Sequence, residues 1–259
     1  MAQTHSKKPT DIGTNRTGIA ASPIDAKKMI EGARSASTSG GSPERLAEFR
    51  AEASRDAPPQ GTMPPPAALK GAAKTAMKAL QGERATVLLD KLGERLAFER
   101  SGVRLYDAVL AKLPASKTRK GDLDASELRH LRDEEHRHML IVSEAIEELG
   151  ADPTAMTPCA NFAGVQGAGL LQSVTDPHAT LTQCLDTLLA AELVDNDGWK
   201  LLIALTEGMG QPEMAKRFTE CLAQEDEHLA KVRAWVAQRL EIQAGTELPS
   251  ADFGEPAPA

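Results

Sequence analysis

The sequence predicts an all-α protein whose folded part is a bundle of four long helices. Aromatic residues are scarce, with 5 Phe, 2 Trp and 1 Tyr in 259 residues, so a core must come mainly from Leu, Ala, Val and Met, a mixture that favours helix over sheet. Four segments repeat a seam at alternating spacings of four and three residues, the period of packed helices. Short links join the first segment to the second and the third to the fourth, which makes each pair antiparallel, whereas residues 150–177 are too many for a turn.

Taken in order, residues 1–66 hold only six residues of the Leu, Ile, Val and Phe class among runs such as SASTSGGSP and APPQGTMPPP. Such a stretch buries too little apolar surface to offset its ordering entropy, so a disordered basic arm is expected, with Ile24 to Ala33 as a transient helix. Residues 67–83 read as a helical lead-in and 84–243 as the bundle; 244–259 read as a flexible tail. The first bundle segment, about 84–113, aligns Leu92, Leu96, Glu99, Val103, Tyr106, Leu110 and Leu113 and ends before Pro114. The second, about 125–149, opens on an Asp124-x-x-Glu127 capping pattern, aligns Leu128, Leu131, Glu135, His138, Val142, Ala145 and Leu149, and stops at Gly150. The third takes Asp176 as N-cap and Pro177 as first helical residue, then Leu181, Leu185, Leu188, Glu192, Asp195, Trp199 and Leu202. The fourth follows GMGQP with Met214, Phe218, Cys221, Glu225, His228, Val232 and Trp235. The apolar stretch FAGVQGAGLLQSV within the long link is expected to lie along the bundle as the chain returns to its other end.

Composition excludes several classes of function. No run approaches the ~20 apolar residues of a membrane helix, and MAQTHSKKPT has no apolar signal core, so a cytoplasmic protein without membrane contact is the expectation. Cys159, Cys184 and Cys221 make neither a disulfide framework nor a Cys-x-x-Cys site. Residues 1–80 carry a net +5 and residues 81–259 a net −12, so the acidic part is a poor nucleic-acid binder, and the charges of the basic arm are diffuse.

Each seam is interrupted near its middle by acid or histidine: Glu99, then Glu135-x-x-His138, then Glu192 with Asp195, then Glu225-x-x-His228. A lone buried carboxylate costs several kcal/mol, so four helices departing from the apolar pattern at one depth need a shared compensation, which metal ions supply. Residues i and i+3 share one helix face, so a carboxylate and an imidazole at that spacing reach one ion, while carboxylates of other helices can bridge two. Glu127-x-x-His130 has the same spacing but lies about 80° out of phase with the seam at ~100° per residue and reads as a surface pair. The alternative for the whole set is a metal-free network of buried carboxylates and imidazoles within a helical interaction module.

With one Glu from each of two helices and a Glu-x-x-His from each of the other two, the chain resembles the ferritin-like superfamily over roughly residues 84–241. Asp195, three residues after Glu192, is similar to the extra carboxylate of the rubrerythrin-like branch, although that branch has Glu there and the chain has no rubredoxin-type cysteines. The resemblance implies two iron ions, with manganese as the alternative. It implies Glu135 and Glu225 as bridging ligands, Glu99 and Glu192 as terminal ones, and His138 and His228 as one nitrogen donor per metal, with Asp195 as a ligand or a group behind the ligands. The implied chemistry is di-iron oxidoreduction with dioxygen or peroxide and ferrous iron, of ferroxidase or peroxidase type; iron storage in a shell and a dimanganese catalase-like enzyme are the rivals, and a homo-oligomer is compatible. Tyr106 and Trp235, seven residues beyond ligands on parallel helices, are expected in one layer about two turns from the metals, with Trp199 and Cys221 on the other side. Tyr106 reads either as an electron relay or as simple core, and Cys221 as a small buried hydrophobe. His5, His130, His136 and His178 have no seam position.

Overall fold

In the computed structural model, residues 23–35, 42–55, 57–63, 84–115 and 123–248 are described. The expected lead-in, 67–83, and residues 249–259 of the expected tail lie outside them. Within the arm, α1 (Pro23–Ser35) overlaps the transient helix expected at Ile24 to Ala33, and α2 (Pro43–Arg55) occupies a stretch expected to be disordered. These two helices belong to a unit separate from the bundle. Its start explains α2: the Ser42 hydroxyl accepts from Arg45 N at 3.0 Å and Pro43 stands at the first helical position, while the helix buries no residue of its own.

The bundle consists of α3 (Arg84–Lys112), α4 (Ala125–Glu148), α6 (Leu181–Gly208) and α7 (Pro212–Ala244), with a shorter helix, α5 (Pro158–Thr175), inside the long link. Two apolar clusters show the helix directions. Leu105, Tyr106 and Val109 of α3 meet Leu128 and Leu131 of α4, Leu185 and Leu188 of α6, and Val232 and Trp235 of α7. Leu92 and Leu96 of α3 meet Val142 of α4, Trp199 and Leu202 of α6, and Phe218 and Cys221 of α7. The C-terminal half of α3 thus shares a cluster with the C-terminal half of α7 and the N-terminal halves of α4 and α6, so α3 and α7 run parallel and α4 and α6 run opposite to them. Tyr106 and Trp235 fall in one cluster and Trp199 and Cys221 in the other, as the seams imply.

The crossover is helical, which its sequence pattern conceals. α5 buries Ala160, Ala163, Gly167 and Val174 and lies along α3. Asp90 Oδ1 of α3 accepts from Cys159 N at 2.8 Å at one end; Lys112 Nζ donates to Asp176 O at 2.6 Å and Ala179 O at 2.9 Å at the other. α5 therefore runs parallel to α3 and carries the chain back to where α6 begins.

Three local expectations are corrected. α6 is not capped by Asp176 and does not start at Pro177; Thr180 caps it, its hydroxyl accepting from Gln183 N while Gln183 Oε1 accepts from Thr180 N at 2.8 Å. Asp176 instead takes the amide of His178 at 2.7 Å, which turns the chain away from α5. Asp124 does cap α4, but Ser126 answers it rather than Glu127, through its amide at 2.9 Å and its hydroxyl at 2.6 Å. On α3 Leu105 and Val109 are buried beside Tyr106 and Leu113, whereas the expected seam residues Val103 and Leu110 are only half-buried. A 3.5-residue repeat drifts about 20° per heptad on a straight helix, enough to move the seam by one column. Gly150 stops α4 as expected, at a φ of 78° that favours glycine.

Replacing Thr180 by Ala is expected to lower stability by about 1 kcal/mol in urea unfolding, the cost of a lost helix cap.

Candidate metal centre

Between the two apolar clusters lies a polar layer that contains all seven residues singled out from the seams: Glu99, Glu135, His138, Glu192, Asp195, Glu225 and His228, all buried. Donor atoms of Glu135, Glu192, Glu225 and His228 lie within 4.8 Å of one another, and so do those of Glu99, His138 and Glu225. Glu225 joins both groups. Its Oε1 is 2.5 Å from His138 Nδ1 and its Oε2 is 3.1 Å from His228 Nδ1. His228 Nδ1 also lies 3.4 Å from Glu135 Oε1 and 3.9 Å from Glu192 Oε2, and His138 Nδ1 lies 3.9 Å from Glu99 Oε2. The imidazoles stack with centroids 5.9 Å apart.

Both Glu-x-x-His pairs work because of what stands behind the histidines. Gln224 Nε2 donates to Glu134 Oε1 at 2.9 Å, which turns its carbonyl oxygen toward His138 Nε2 at 2.8 Å. His138 Nε2 must then carry the proton, and Nδ1 offers its lone pair inward. Glu134 Oε2 lies 3.0 Å from His228 Nε2 and fixes the same tautomer there. Each helix thus orients the histidine of the other, α4 with Glu134 just before Glu135 and α7 with Gln224 just before Glu225.

Asp195 lies outside both donor groups. Arg95 takes it instead, with Nη2 2.5 Å from Oδ1 and Nη1 donating to the Asp195 carbonyl at 3.0 Å, while Arg95 Nε stands 3.1 Å from Glu99 Oε1. The guanidinium is buried over the rings of Phe98 at 4.6 Å and Trp199 at 5.5 Å. Tyr106 is also nearer than two turns from the centre: its hydroxyl donates to Glu192 Oε1 at 2.5 Å and its ring meets that of His228 edge-on at 6.4 Å. At the opposite side Trp199 stands edge-on to His138 at 5.8 Å. Gly102 is where α3 passes closest, since a Cβ there would collide with Glu135 Oε2. Cys221 is buried and its thiol is pushed up to about 12, mainly by burial, in keeping with an inert hydrophobe.

The donor set fits a cation. The two carboxylate oxygens each of Glu99 and Glu225, Glu192 Oε2, and Nδ1 of both histidines are buried without a hydrogen-bond partner, although such groups are normally satisfied. Burial raises Glu99, Glu192 and Glu225 well above the usual carboxylate range, and the neighbouring carboxylates add to it. Burial also lowers His138. At His228 burial opposes the charged form, but Glu135 and Glu225 outweigh it and push the imidazole up to about 12. A positive charge is therefore wanted at that point, and without another cation a proton supplies it.

Sequence reading missed Arg95, Glu134, Gln224 and Gly102. Arg95 sits four residues before Glu99, and Glu134 and Gln224 each precede a ligand glutamate; spacing was the only available signal for them. His130 and Glu127 are exposed, as their phase implies, and His130 Nε2 lies 3.5 Å from Glu134 Oε2.

Residues 125–240 match the Ferritin-like domain family. The match spans α4 to α7 and takes in both Glu-x-x-His pairs, Glu192 and Asp195; Glu99 on α3 lies before it. No curated protein and no solved structure matches the chain. Over residues 125–240 the helices are similar to a ferritin-like domain, and the buried carboxylate and histidine cluster is compatible with metal binding. Among the described residues no helix is long and apolar enough to cross a membrane.

The raised carboxyls give a pH test. A group whose pKa is raised on folding contributes stability below its unfolded value, about 4.3 for Glu, and loses it as pH rises through the folded value. The metal-free bundle should therefore become less stable as pH rises above about 4.3 through the raised folded values. Metal binding needs these ligands deprotonated, so the gap in Tm between metal-loaded and metal-free protein should widen over the same range in calorimetry. Separately, Gly102→Ala is expected to displace Glu135 and weaken metal binding by about tenfold or more, read by titration calorimetry, with helix content kept.

Proposed function

We propose that this protein is a dinuclear metal-carboxylate oxidoreductase that binds two iron ions and reacts with dioxygen or peroxide, in the manner of a ferroxidase or peroxidase. The observation that carries the reading is the pair of overlapping donor groups joined at Glu225, with their inward atoms free of hydrogen bonds. Glu135, Glu192, Glu225 and His228 would hold one ion, and Glu99, His138 and Glu225 the other. Glu225 would belong to both ions, with Glu135 beside it, while Glu99 and Glu192 would each serve one. Held this way, two iron ions would supply one electron each for the reduction of dioxygen or peroxide.

The chain's own residues set the conditions for that chemistry. The clusters around Trp199 and Phe218 on one side and Tyr106 and Val232 on the other exclude water from the layer. Imidazole and carboxylate donors suit iron and manganese alike. Tyr106 keeps its proton, because burial and then the charge of Glu192 raise it well above an ordinary phenol, and it holds that proton at Glu192 Oε1. Through that contact the sole tyrosine would exchange a proton or an electron with the centre. Asp195, neutralised by Arg95, belongs behind the ligands, which separates this centre from one with an extra coordinating carboxylate.

Anaerobic loading with ferrous iron, followed by elemental analysis and rapid mixing with dioxygen or hydrogen peroxide, tests the reading. Two irons per chain and an oxidation step followed by absorbance are expected, and Glu225→Ala should lose both. A wild-type chain that binds no iron or manganese would defeat it, and uptake of manganese with release of oxygen from peroxide would move it to the dimanganese alternative.

A further inference from the structure

The two ends of the donor cluster differ in ways that bear on how firmly each holds a cation. We propose that the centre has a tight divalent-cation position at His228, with Glu135, Glu192 and Glu225, and a weak, exchangeable one at His138, with Glu99 and Glu225, and that Glu134 and Gln224 set the difference as positioning residues. The inference rests on reading the site as a metal centre and deepens it.

Three independent observations point the same way. First, four side chains converge at the His228 end and three at the His138 end. Second, the groups behind the histidines occupy equivalent places, one residue before each ligand glutamate, yet one is an anion and the other a neutral amide. Glu134 Oε2 accepts from His228 Nε2 at 3.0 Å, and Gln224 Oε1 accepts from His138 Nε2 at 2.8 Å. A carboxylate behind an imidazole raises its basicity as a ligand more than an amide oxygen does, and changes of this kind alter metal affinity by about 10- to 100-fold. Third, the terminal carboxylates have different partners. Glu99 Oε1 faces the buried guanidinium of Arg95 at 3.1 Å, so an ion there must share that carboxylate with a fixed cation. Glu192 Oε1 accepts from the neutral phenol of Tyr106, and its Oε2, 3.9 Å from His228 Nδ1, has no hydrogen bond.

One ion would then stay resident at His228 while the other exchanges with solution, and a mixed pair could be assembled by the order of addition. Anaerobic titration of the metal-free full chain with cobalt(II), followed by ligand-field absorbance and calorimetry, tests this. Wild type should load in two steps separated by at least about tenfold. His138→Ala should keep the tight step and His228→Ala should lose it. Glu134→Gln should weaken the tight step, Gln224→Glu should tighten the weak one, and both should retain wild-type circular dichroism. Should Glu134→Gln fail to fold, Gln224→Glu decides alone: an unchanged weak step overturns the proposal. Two indistinguishable steps in wild type, or a tight step untouched by Glu134→Gln, would overturn it and leave the metal centre standing; no cobalt uptake at all would overturn both.

Discussion

Burial of four carboxylates at one level of an otherwise apolar bundle is the constraint on which the rest of the structure depends. Isolated charges in such surroundings cost several kcal/mol each, so the helices must bring compensation to the same level. The layer that results divides the core into two separate apolar clusters, one toward each end of the bundle. Those clusters fix helix register, because a slip on any helix would carry its acid into a layer of Leu, Trp and Phe. Register and site are thus the same specification: the side chains that hold the helices in phase are those that shield the donor atoms from water.

Charge within the layer divides into two parts. Asp195 and Arg95 form a buried pair whose charges cancel, clamped between Phe98 and Trp199. What remains is Glu99, Glu135, Glu192 and Glu225, four negative charges that two divalent cations would balance. This division explains why Asp195, though on the seam and at ligand spacing, lies outside both donor groups: its countercharge is already present. Removing one partner of such a buried pair typically costs about 3–5 kcal/mol, because the other is left without a countercharge, so Arg95 and Asp195 stabilise the bundle only together.

The residues that were legible in the sequence are those whose own helix declares them. Glu99, Glu135, His138, Glu192, Glu225 and His228 interrupt an apolar seam, and an interruption is visible without knowledge of any neighbour. Arg95, Glu134 and Gln224 interrupt nothing; they lie beside the seam, where polar residues are ordinary, and acquire meaning only from atoms on another helix. The crossover helix was hidden for a related reason. Its buried face is built mainly from Ala and Gly, so close approach to α3 rather than apolar bulk marks it, and FAGVQGAGLLQSV has little of the amphipathic contrast that reveals a helix. At α6 two capping signals stood four residues apart, and local propensity could not choose between them. Thr180 prevails because Gln183 completes its box, while Asp176 is spent on the turn that ends α5.

Near-symmetry is what makes the differences between the two ends of the centre informative. α4 and α7 each contribute a Glu-x-x-His, each histidine turns Nδ1 inward, and each helix supplies the residue that holds the other's imidazole. Packing demands can be met by any pair of hydrogen-bonding side chains in those two outer places, since both Glu and Gln fill the space and satisfy Nε2. Hydrogen bonding to the two imidazoles alone therefore does not distinguish Glu134 from Gln224, although Glu134 also pairs with Arg137 at 3.1 Å, and the link between them, Gln224 Nε2 to Glu134 Oε1, needs one donor and one acceptor. What does distinguish them is the charge delivered through the ring to the inward nitrogen. Glu134 is balanced from outside by Arg137 Nη2 at 3.1 Å, so its negative charge can stand behind His228 at little cost while Gln224 brings none to His138.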